Sequence, residues 1–184
     1  CPGSPMREVL EHYQPGIQAS DVHARLGLEP GRYFVVSSHR EENVDAQENL
    51  ARLFRVLDTV AATYGLPVVV SVHPRTRKRM EAAGLQAHAN VQFHKPFGFL
   101  DYVRLQQDAR AVLSDSGTIT EESSILNFPA VNLREVHERP EGFQEAAVMF
   151  TGLDPTRVLQ ALEVLKDQGR GKERQLQLVR DYAA

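Results

Sequence analysis

Three short polar segments of the sequence carry residue types that bind anions or transfer protons. The first, residues 37–43 (SSHREEN), follows an apolar run and contains His39. A histidine at the end of a strand can act as an acid or donate a hydrogen bond to a phosphate near neutral pH. The alternative is an ordinary loop with a helix cap, because loops are polar in most proteins.

The second segment, residues 114–122 (SDSGTITEE), lies between a predicted strand and a predicted helix. Gly117 permits a sharp turn and a close approach of a ligand to the backbone. The hydroxyls of Ser116 and Thr118, with the free amides of the helix, can donate hydrogen bonds to an anion. Two acids follow, and a carboxylate there can accept the paired hydroxyl hydrogens of a ribose. The alternative is a well-capped helix whose first turn favours acids.

The third segment, residues 133–142 (LREVHERPEG), also follows a predicted strand. Arg134 and Arg139 can bind the oxygens of a diphosphate in forked geometry. The alternative is a surface ion pair between Glu138 and Arg139, which would contribute little to stability.

Two weaker signals lie between these segments. His73 and Pro74 follow a predicted strand and are either functional or a simple strand terminator. Residues 95–102 (KPFGFLDY) join a strand to a helix, and Phe97 and Tyr102 could help to hold a flat base. Aromatic side chains at such positions more often belong to the core.

The elements that must position these segments alternate along the chain. Apolar, β-branched runs predict strands, and apolar residues at helical spacing predict helices. Strands with apolar residues throughout indicate a parallel sheet covered by helices on both faces, an α/β fold in which ligands bind outside the carboxyl ends of the strands. Asp45 followed by Glu48 has the spacing of a capping box and predicts a helix start. The predicted strands are residues 32–38, 67–72, 90–93, 111–113 and 130–133, and the predicted helices are 45–64, 75–83, 100–108, 119–126 and 155–165.

Composition narrows the classes of function. The chain has 184 residues, enough for one domain, and its net charge of −3 argues against a nucleic-acid partner. Its one cysteine is Cys1, and no apolar run approaches the roughly 20 residues of a membrane span, so we expect a soluble cytoplasmic protein without membrane contacts. The absence of metal-ligand spacing, of GxGxxG and of GxxxxGK predicts neither a metal nor a cofactor. The chain opens without a methionine, so we expect a fragment.

Taken in order, the segments SSHREEN, HP, PFGFLDY, SDSGTITEES and LREVHERPEG resemble the non-hydrolysing UDP-N-acetylglucosamine 2-epimerase family. The resemblance extends from about Gly3 to the carboxyl terminus, and DSG-x-x-x-EE and ERPE are its most specific motifs. It implies the second half of a two-domain fold similar to glycosyltransferase B enzymes, with a Rossmann-like sheet. Residues 1–30 would be a hinge or inter-domain segment, residues 31–184 a UDP-binding domain, and the amino-terminal domain would be absent.

The resemblance also implies roles for individual residues. Ser116, Gly117 and Thr118 would cradle the diphosphate of UDP, Glu122 would accept the ribose hydroxyls, and His39 would lie beside the departing pyrophosphate. The predicted catalytic residues are His39, Glu122 and Arg139, and the predicted substrate-binding residues are Phe97, Tyr102, Asp115, Ser116, Gly117, Thr118, Glu122, Arg134 and Arg139.

In such enzymes UDP is eliminated to give a 2-acetamidoglycal and is then added back with C2 inverted. The carboxylates near C2 belong to the amino-terminal half, so this chain is expected to hold UDP without completing the reaction, and the full-length protein to be a homodimer. Thr118 and Thr120 stand where glycine and glutamine are usual, and His137 where threonine is usual. SDSGTITEESS with NFP resembles the branch that forms UDP-N-acetyl-L-fucosamine for capsule or O-antigen synthesis, and these departures, with His137, leave the exact sugar open.

Two other classes of function remain open from the sequence. A glycosyltransferase donor domain needs a similar UDP pocket but should lack the combined HRxEN, DSG and ERPE motifs. A non-catalytic UDP-sugar sensor or a decayed fragment would need the same pocket residues. Upstream coding sequence for a second Rossmann-like half with inward carboxylates would separate the epimerase from the sensor.

Overall fold

The computed structural model describes residues 5–39, 46–134 and 148–166. Helices and strands alternate through most of this part of the chain, as the hydrophobic pattern predicts. In order they are α1 (Pro5–Gln18), α2 (Val22–Leu26), β1 (Phe34–Ser37), α3 (Gln47–Tyr64), β2 (Val68–Ser71), α4 (Pro74–Ala82), β3 (Val91–His94), α5 (Phe99–Asp108), β4 (Ala111–Ser114), α6 (Ile119–Leu126), β5 (Ala130–Asn132), β6 (Val148–Phe150) and α7 (Pro155–Leu165).

The described strands form one six-stranded parallel sheet in the order β3-β2-β1-β4-β5-β6. The central strand β1 pairs with β2 on one side and β4 on the other, with Phe34 opposite Val68 and Ala111. The strand order therefore reverses between β1 and β4. Ligands of open α/β sheets bind at such a reversal, outside the carboxyl ends of the strands. The predicted Rossmann-like parallel sheet is confirmed.

The sheet separates two apolar layers because successive side chains of a strand point to opposite faces. Phe34 and Val36 of β1 belong to a buried cluster with residues of α3, α4 and α7. Val35, between them, belongs to a second cluster with residues of α2, α5 and α6. All residues of β1, β2 and β4 are buried, which explains why these strands lack the alternation of polar and apolar residues.

All ten predicted elements are present, and their ends differ from the prediction by no more than two residues. The predicted capping box is wrong. Ala46 occupies the N-cap position of α3 and makes no side-chain cap, so Glu48 is the second residue of the helix and not the third. Asp45 lies outside the described residues.

The first thirty residues contain more core than the sequence indicated. Leu10 and Ile17 of α1 and Val22 of α2 are buried, and Leu10 and Ile17 pack with Val103 of α5. Pro15 lies inside α1. A proline costs a helix one hydrogen bond, but burial of the apolar side chains on either side offsets that loss. That residues 1–30 act as a hinge in a longer protein stays a prediction.

The short strand β6 was not predicted from the sequence. It has three residues, Val148–Phe150, and pairs with β5 at the edge of the sheet. Only the first of its three residues is buried, so it lacks the continuous apolar run by which the other strands were predicted. Of the described helices, none is long and apolar enough to cross a membrane.

Two valines on helices provide a matched test of the core. Val60 of α3 is 1% exposed, whereas Val164 of α7 is 67% exposed. We expect Val60→Ala to lower the free energy of unfolding by about 2 kcal/mol, because it removes buried apolar surface and leaves a cavity. Val164→Ala should change it by less than about 0.5 kcal/mol. Urea denaturation followed by circular dichroism measures both, and equal losses would contradict the described packing of α3.

Candidate functional site

Asp115 joins the segments that follow the two central strands. Its side chain is fully buried, and its carboxylate accepts hydrogen bonds from Ser38 Oγ at 2.8 Å and from the backbone N–H of His39 at 3.0 Å. Its own backbone N–H donates to the carbonyl of Ser37 at 3.2 Å. A buried carboxylate needs such donors to offset its lost hydration. The backbone of His39, whose side chain is exposed, is therefore tied to the start of the turn that follows β4.

The turn between β4 and α6 is built from hydroxyl groups. The N–H of Ser116 donates to Ser114 Oγ at 3.1 Å, and the N–H of Thr118 donates to Ser116 Oγ at 3.3 Å. Gly117 and Thr118 are exposed at the start of α6. A side chain added at Gly117 would come within 3.9 Å of Arg134 Nη1, so the guanidinium lies beside the turn. Hydroxyls, a helix amino terminus and a cation together form a surface suited to an anion.

Glu122 lies in the first turn of α6, and both of its carboxylate oxygens accept hydrogen bonds. Thr118 Oγ1 donates to Oε1 at 2.8 Å, and Gln106 Nε2 donates to Oε2 at 3.0 Å. Gln106 was not among the site residues predicted from the sequence. The available signal was its spacing from Tyr102, because residues four apart share one face of a helix. Partial burial and two donors fix the Glu122 carboxylate beside the turn.

Tyr102 lies on the same face of α5 as Gln106, one helical turn before it. Burial raises the pKa of Tyr102 to about 12, and the carboxylates of Glu122 and Asp115 act in the same direction, whereas hydrogen bonds with the side chains of Ser37 and Gln106 lower it. The phenol therefore stays protonated across the physiological range and can donate a hydrogen bond. Its ring packs against the core cluster that includes α5 and α6.

Phe97 follows β3 and is also packed partly against that cluster. Its ring lies 5.5 Å from the ring of His94, at an interplanar angle of 39°. Burial lowers the pKa of His94, and the cation of Arg77 lowers it further. An uncharged imidazole beside an aromatic ring offers a flat, weakly polar surface.

The structure thus brings most of the predicted site residues to one edge of the sheet. Tyr102 belongs to this group because it neighbours Ser37 and Gln106. The other residues around the ends of β1 and β4 are His39, Asp115, Ser116, Gly117, Thr118, Glu122 and Arg134. Arg139 and His137 lie outside the described residues. His73 caps α4, where its Nδ1 accepts from the N–H of Arg75 at 3.2 Å and Pro74 opens the helix. In the described part of the chain, no group of three side chains is arranged to hold a metal ion.

Solved structures with this architecture are about twice as long as the chain. A structure of UDP-N-acetylglucosamine 2-epimerase from Rickettsia bellii has a TM-score of 0.83 and 40% identity, and the match covers 98% of this chain and 48% of that one. The Methanocaldococcus jannaschii UDP-GlcNAc 2-epimerase in complex with UDP-GlcNAc and UDP has a TM-score of 0.81 and 25% identity, covering 98% and 51%. The chain corresponds to one half of these folds.

Curated relatives carry related names. A UDP-N-acetylglucosamine 2-epimerase of Methanocaldococcus jannaschii is 31% identical over 142 residues, which are 75% of this chain and 39% of the relative. A UDP-2,3-diacetamido-2,3-dideoxy-D-glucuronate 2-epimerase of Pseudomonas aeruginosa is 33% identical over 114 residues, 61% of this chain and 31% of the relative. The family model described as UDP-N-acetylglucosamine 2-epimerase matches residues 2–183. The chain therefore belongs to the UDP-N-acetylglucosamine 2-epimerase family.

Proposed function

We propose that this chain is the nucleotide-binding half of a UDP-N-acetylhexosamine 2-epimerase, and that it binds UDP but needs an amino-terminal half for turnover. The observation that carries the proposal is the Asp115 link, which holds the His39 segment against the hydroxyl-rich turn before α6. The chain spans less than half the length of the curated relatives. The similar structure from Methanocaldococcus jannaschii is a complex with UDP-GlcNAc and UDP, which supports the choice of nucleotide.

The diphosphate of UDP would bind at the start of α6. Gly117 would supply its amide as a donor, Ser116 and Thr118 would supply their hydroxyls, and the Arg134 guanidinium beside the turn would supply positive charge. Arg139 is proposed to bind the same phosphates. Because cleavage of the C1–O bond places charge on UDP, donors that already surround the diphosphate stabilise that charge as it develops.

The nucleoside would extend from the diphosphate across α5 and α6. Glu122 would accept hydrogen bonds from the ribose hydroxyls, since an ionised carboxylate is an acceptor with about four lone-pair sites. Uracil would lie over the segment that contains Phe97 and Tyr102, held largely through backbone groups. The packing of both aromatic rings against the core supports a role in shaping this surface.

His39 is proposed to assist departure of UDP. Its backbone N–H is bound by Asp115, which begins the turn before α6, and its side chain is exposed just beyond the end of β1. There it can donate a hydrogen bond or a proton to the leaving pyrophosphate oxygen. In the elimination the C1–O bond breaks and the proton leaves C2, giving UDP and the 2-acetamidoglycal. UDP then adds back to C1, and a proton adds to the opposite face of C2. The group that transfers this proton is proposed to lie in the amino-terminal half.

The sugar is proposed from the departures in the motif. SDSGTITEESS, which contains Thr118 and Thr120, together with the following NFP favours the branch that forms UDP-N-acetyl-L-fucosamine for capsule or O-antigen synthesis, whereas His137 before ERPE favours no particular sugar. The Pseudomonas aeruginosa relative is named for a UDP-diacetamido sugar, so members of this family are named for more than one hexosamine. We further propose that the full-length protein is a cytoplasmic homodimer, with residues 31–184 as its UDP-binding domain.

Calorimetric titration with UDP, followed by an NMR assay with UDP-N-acetylhexosamines, tests the proposal. We expect the chain to bind UDP, to bind uridine far more weakly because the diphosphate contacts are lost, and to show no epimerisation. Turnover by the chain alone would contradict the assignment of essential groups to the other half. Failure to bind UDP would contradict a preformed nucleotide site.

Substitution of two adjacent glutamates tests the ribose assignment. We expect Glu122→Ala to weaken UDP binding by about 1–3 kcal/mol, the cost of leaving polar groups of the ligand unpaired. Glu121→Ala, in the same helical turn, removes an equal charge and should change the affinity by less than about 0.5 kcal/mol. Calorimetry measures both variants, and an affinity for Glu122→Ala equal to that of the unaltered chain would refute the role of this carboxylate.

Substitution of Asp115 tests whether the link between the two segments supports binding. Asp115→Ala leaves the Ser38 hydroxyl and the His39 N–H without this acceptor, so we expect it to cost about 1–3 kcal/mol of stability and to weaken UDP binding. Asp154→Ala is the control, because Asp154 caps α7 beyond β6 and its loss costs about 1 kcal/mol. A control that loses as much UDP affinity would show that general destabilisation is responsible.

A further inference from the structure

Gln106 is a buried amide with an unusual hydrogen-bond pattern. It lies on α5 and is 1% exposed. Its Nε2 donates to Glu122 Oε2 at 3.0 Å, whereas its Oε1 is buried without a hydrogen-bond partner among the described residues. Buried polar atoms are nearly always paired, so an unpaired amide oxygen calls for an explanation.

We propose that Gln106 is a positioning residue that holds the Glu122 carboxylate in place for the ribose of the nucleotide. This inference rests on the proposed function, since it assigns Gln106 to the same UDP site. Reversing the amide would set Oε1 against the carboxylate, two acceptors face to face. The carboxylate therefore fixes the orientation of the amide, and the amide in turn fixes Oε2.

The second hydrogen bond to Glu122 comes from a residue that would also contact the ligand. Thr118 has a single hydroxyl hydrogen, which it donates to Glu122 Oε1 at 2.8 Å. Thr118 also lies in the turn proposed to bind the diphosphate, so a phosphate oxygen competes for that hydrogen. Once the phosphate takes it, Oε1 is released to accept from a ribose hydroxyl. Gln106, buried on another helix, meets no such competition and keeps the carboxylate in position.

A comparison of two nucleotides separates positioning from general stability. UDP and 2′,3′-dideoxy-UDP share the base and diphosphate, but the second lacks the hydroxyls that Glu122 would bind. We expect the wild-type chain to prefer UDP, and Gln106→Leu to weaken UDP binding about tenfold while leaving the affinity for 2′,3′-dideoxy-UDP unchanged. Gln107→Leu, on the next residue of α5, is the matched control and should keep the preference.

A second variant keeps the inference testable if Gln106→Leu does not fold. In Gln106→Glu, the introduced carboxyl group can donate to Glu122 while it is protonated, as the amide does, whereas two ionised carboxylates repel each other. The UDP affinity of this variant should approach the wild-type value near pH 5 and fall as the pH rises to about 8, relative to the wild type at each pH. Circular dichroism at each pH confirms that the variant stays folded.

The outcomes distinguish this inference from the proposed function. If the wild-type chain fails to bind UDP, both are overturned. If it binds both nucleotides equally, the assignment of Glu122 to the ribose and the positioning role of Gln106 are overturned, whereas the UDP-binding proposal stands. If the wild type prefers UDP and Gln106→Leu keeps that preference or weakens both nucleotides equally, the positioning role alone is overturned. A flat relative affinity of Gln106→Glu across the pH range would overturn it as well.

Discussion

The buried carboxylate of Asp115 is the interaction on which the candidate site depends. The carboxyl ends of parallel strands lie at one edge of the sheet. The segments that follow β1 and β4 need a further contact to stay adjacent. Asp115 supplies it by accepting hydrogen bonds from both Ser38 and His39 at the reversal of strand order. Because a buried charge is costly without donors, the two segments are stabilised only when they are adjacent. The same hydrogen bonds therefore connect the paired strands β1 and β4 to the geometry of the candidate site.

A second set of polar contacts extends from this link into the helices. Tyr102 and Gln106 lie one helical turn apart on α5, and Gln106 donates a hydrogen bond to Glu122 of α6. Side chains carried on helices are held more rigidly than those on loops, and a rigid site avoids an entropic cost when a ligand binds. In the proposed site the exposed His39 and Thr118 and the half-buried Glu122 would contact the nucleotide, while the buried Asp115 and Gln106 hydrogen-bond to His39 and Glu122.

Much of the fold follows from the sequence because the signals are local. Buried strands such as Val68–Ser71 are runs of β-branched residues, and α6 and α7 begin and end where their periodicity predicts. The sequence pattern does not predict which side chains meet in the folded chain. Gln106 resembles any polar residue of a helix until α6 is packed beside it. Residues 1–30 were expected to be a hinge or inter-domain segment, yet α1 within them packs against α5, and such packing provides most of the stability of a helix. Arg139 was identified by its motif and lies outside the described residues.

An amide proton–nitrogen NMR titration of the labelled chain with UDP locates the ligand directly. We expect the largest chemical-shift changes at the amides of His39, Gly117 and Thr118, where the two segments joined by Asp115 meet. The chain also has an exposed apolar groove between α1 and α5, formed by Val9, Tyr13, Phe99 and Leu100, which serves as an internal comparison. Changes centred on that groove, with the amides at the ends of β1 and β4 unmoved, would contradict the proposed site.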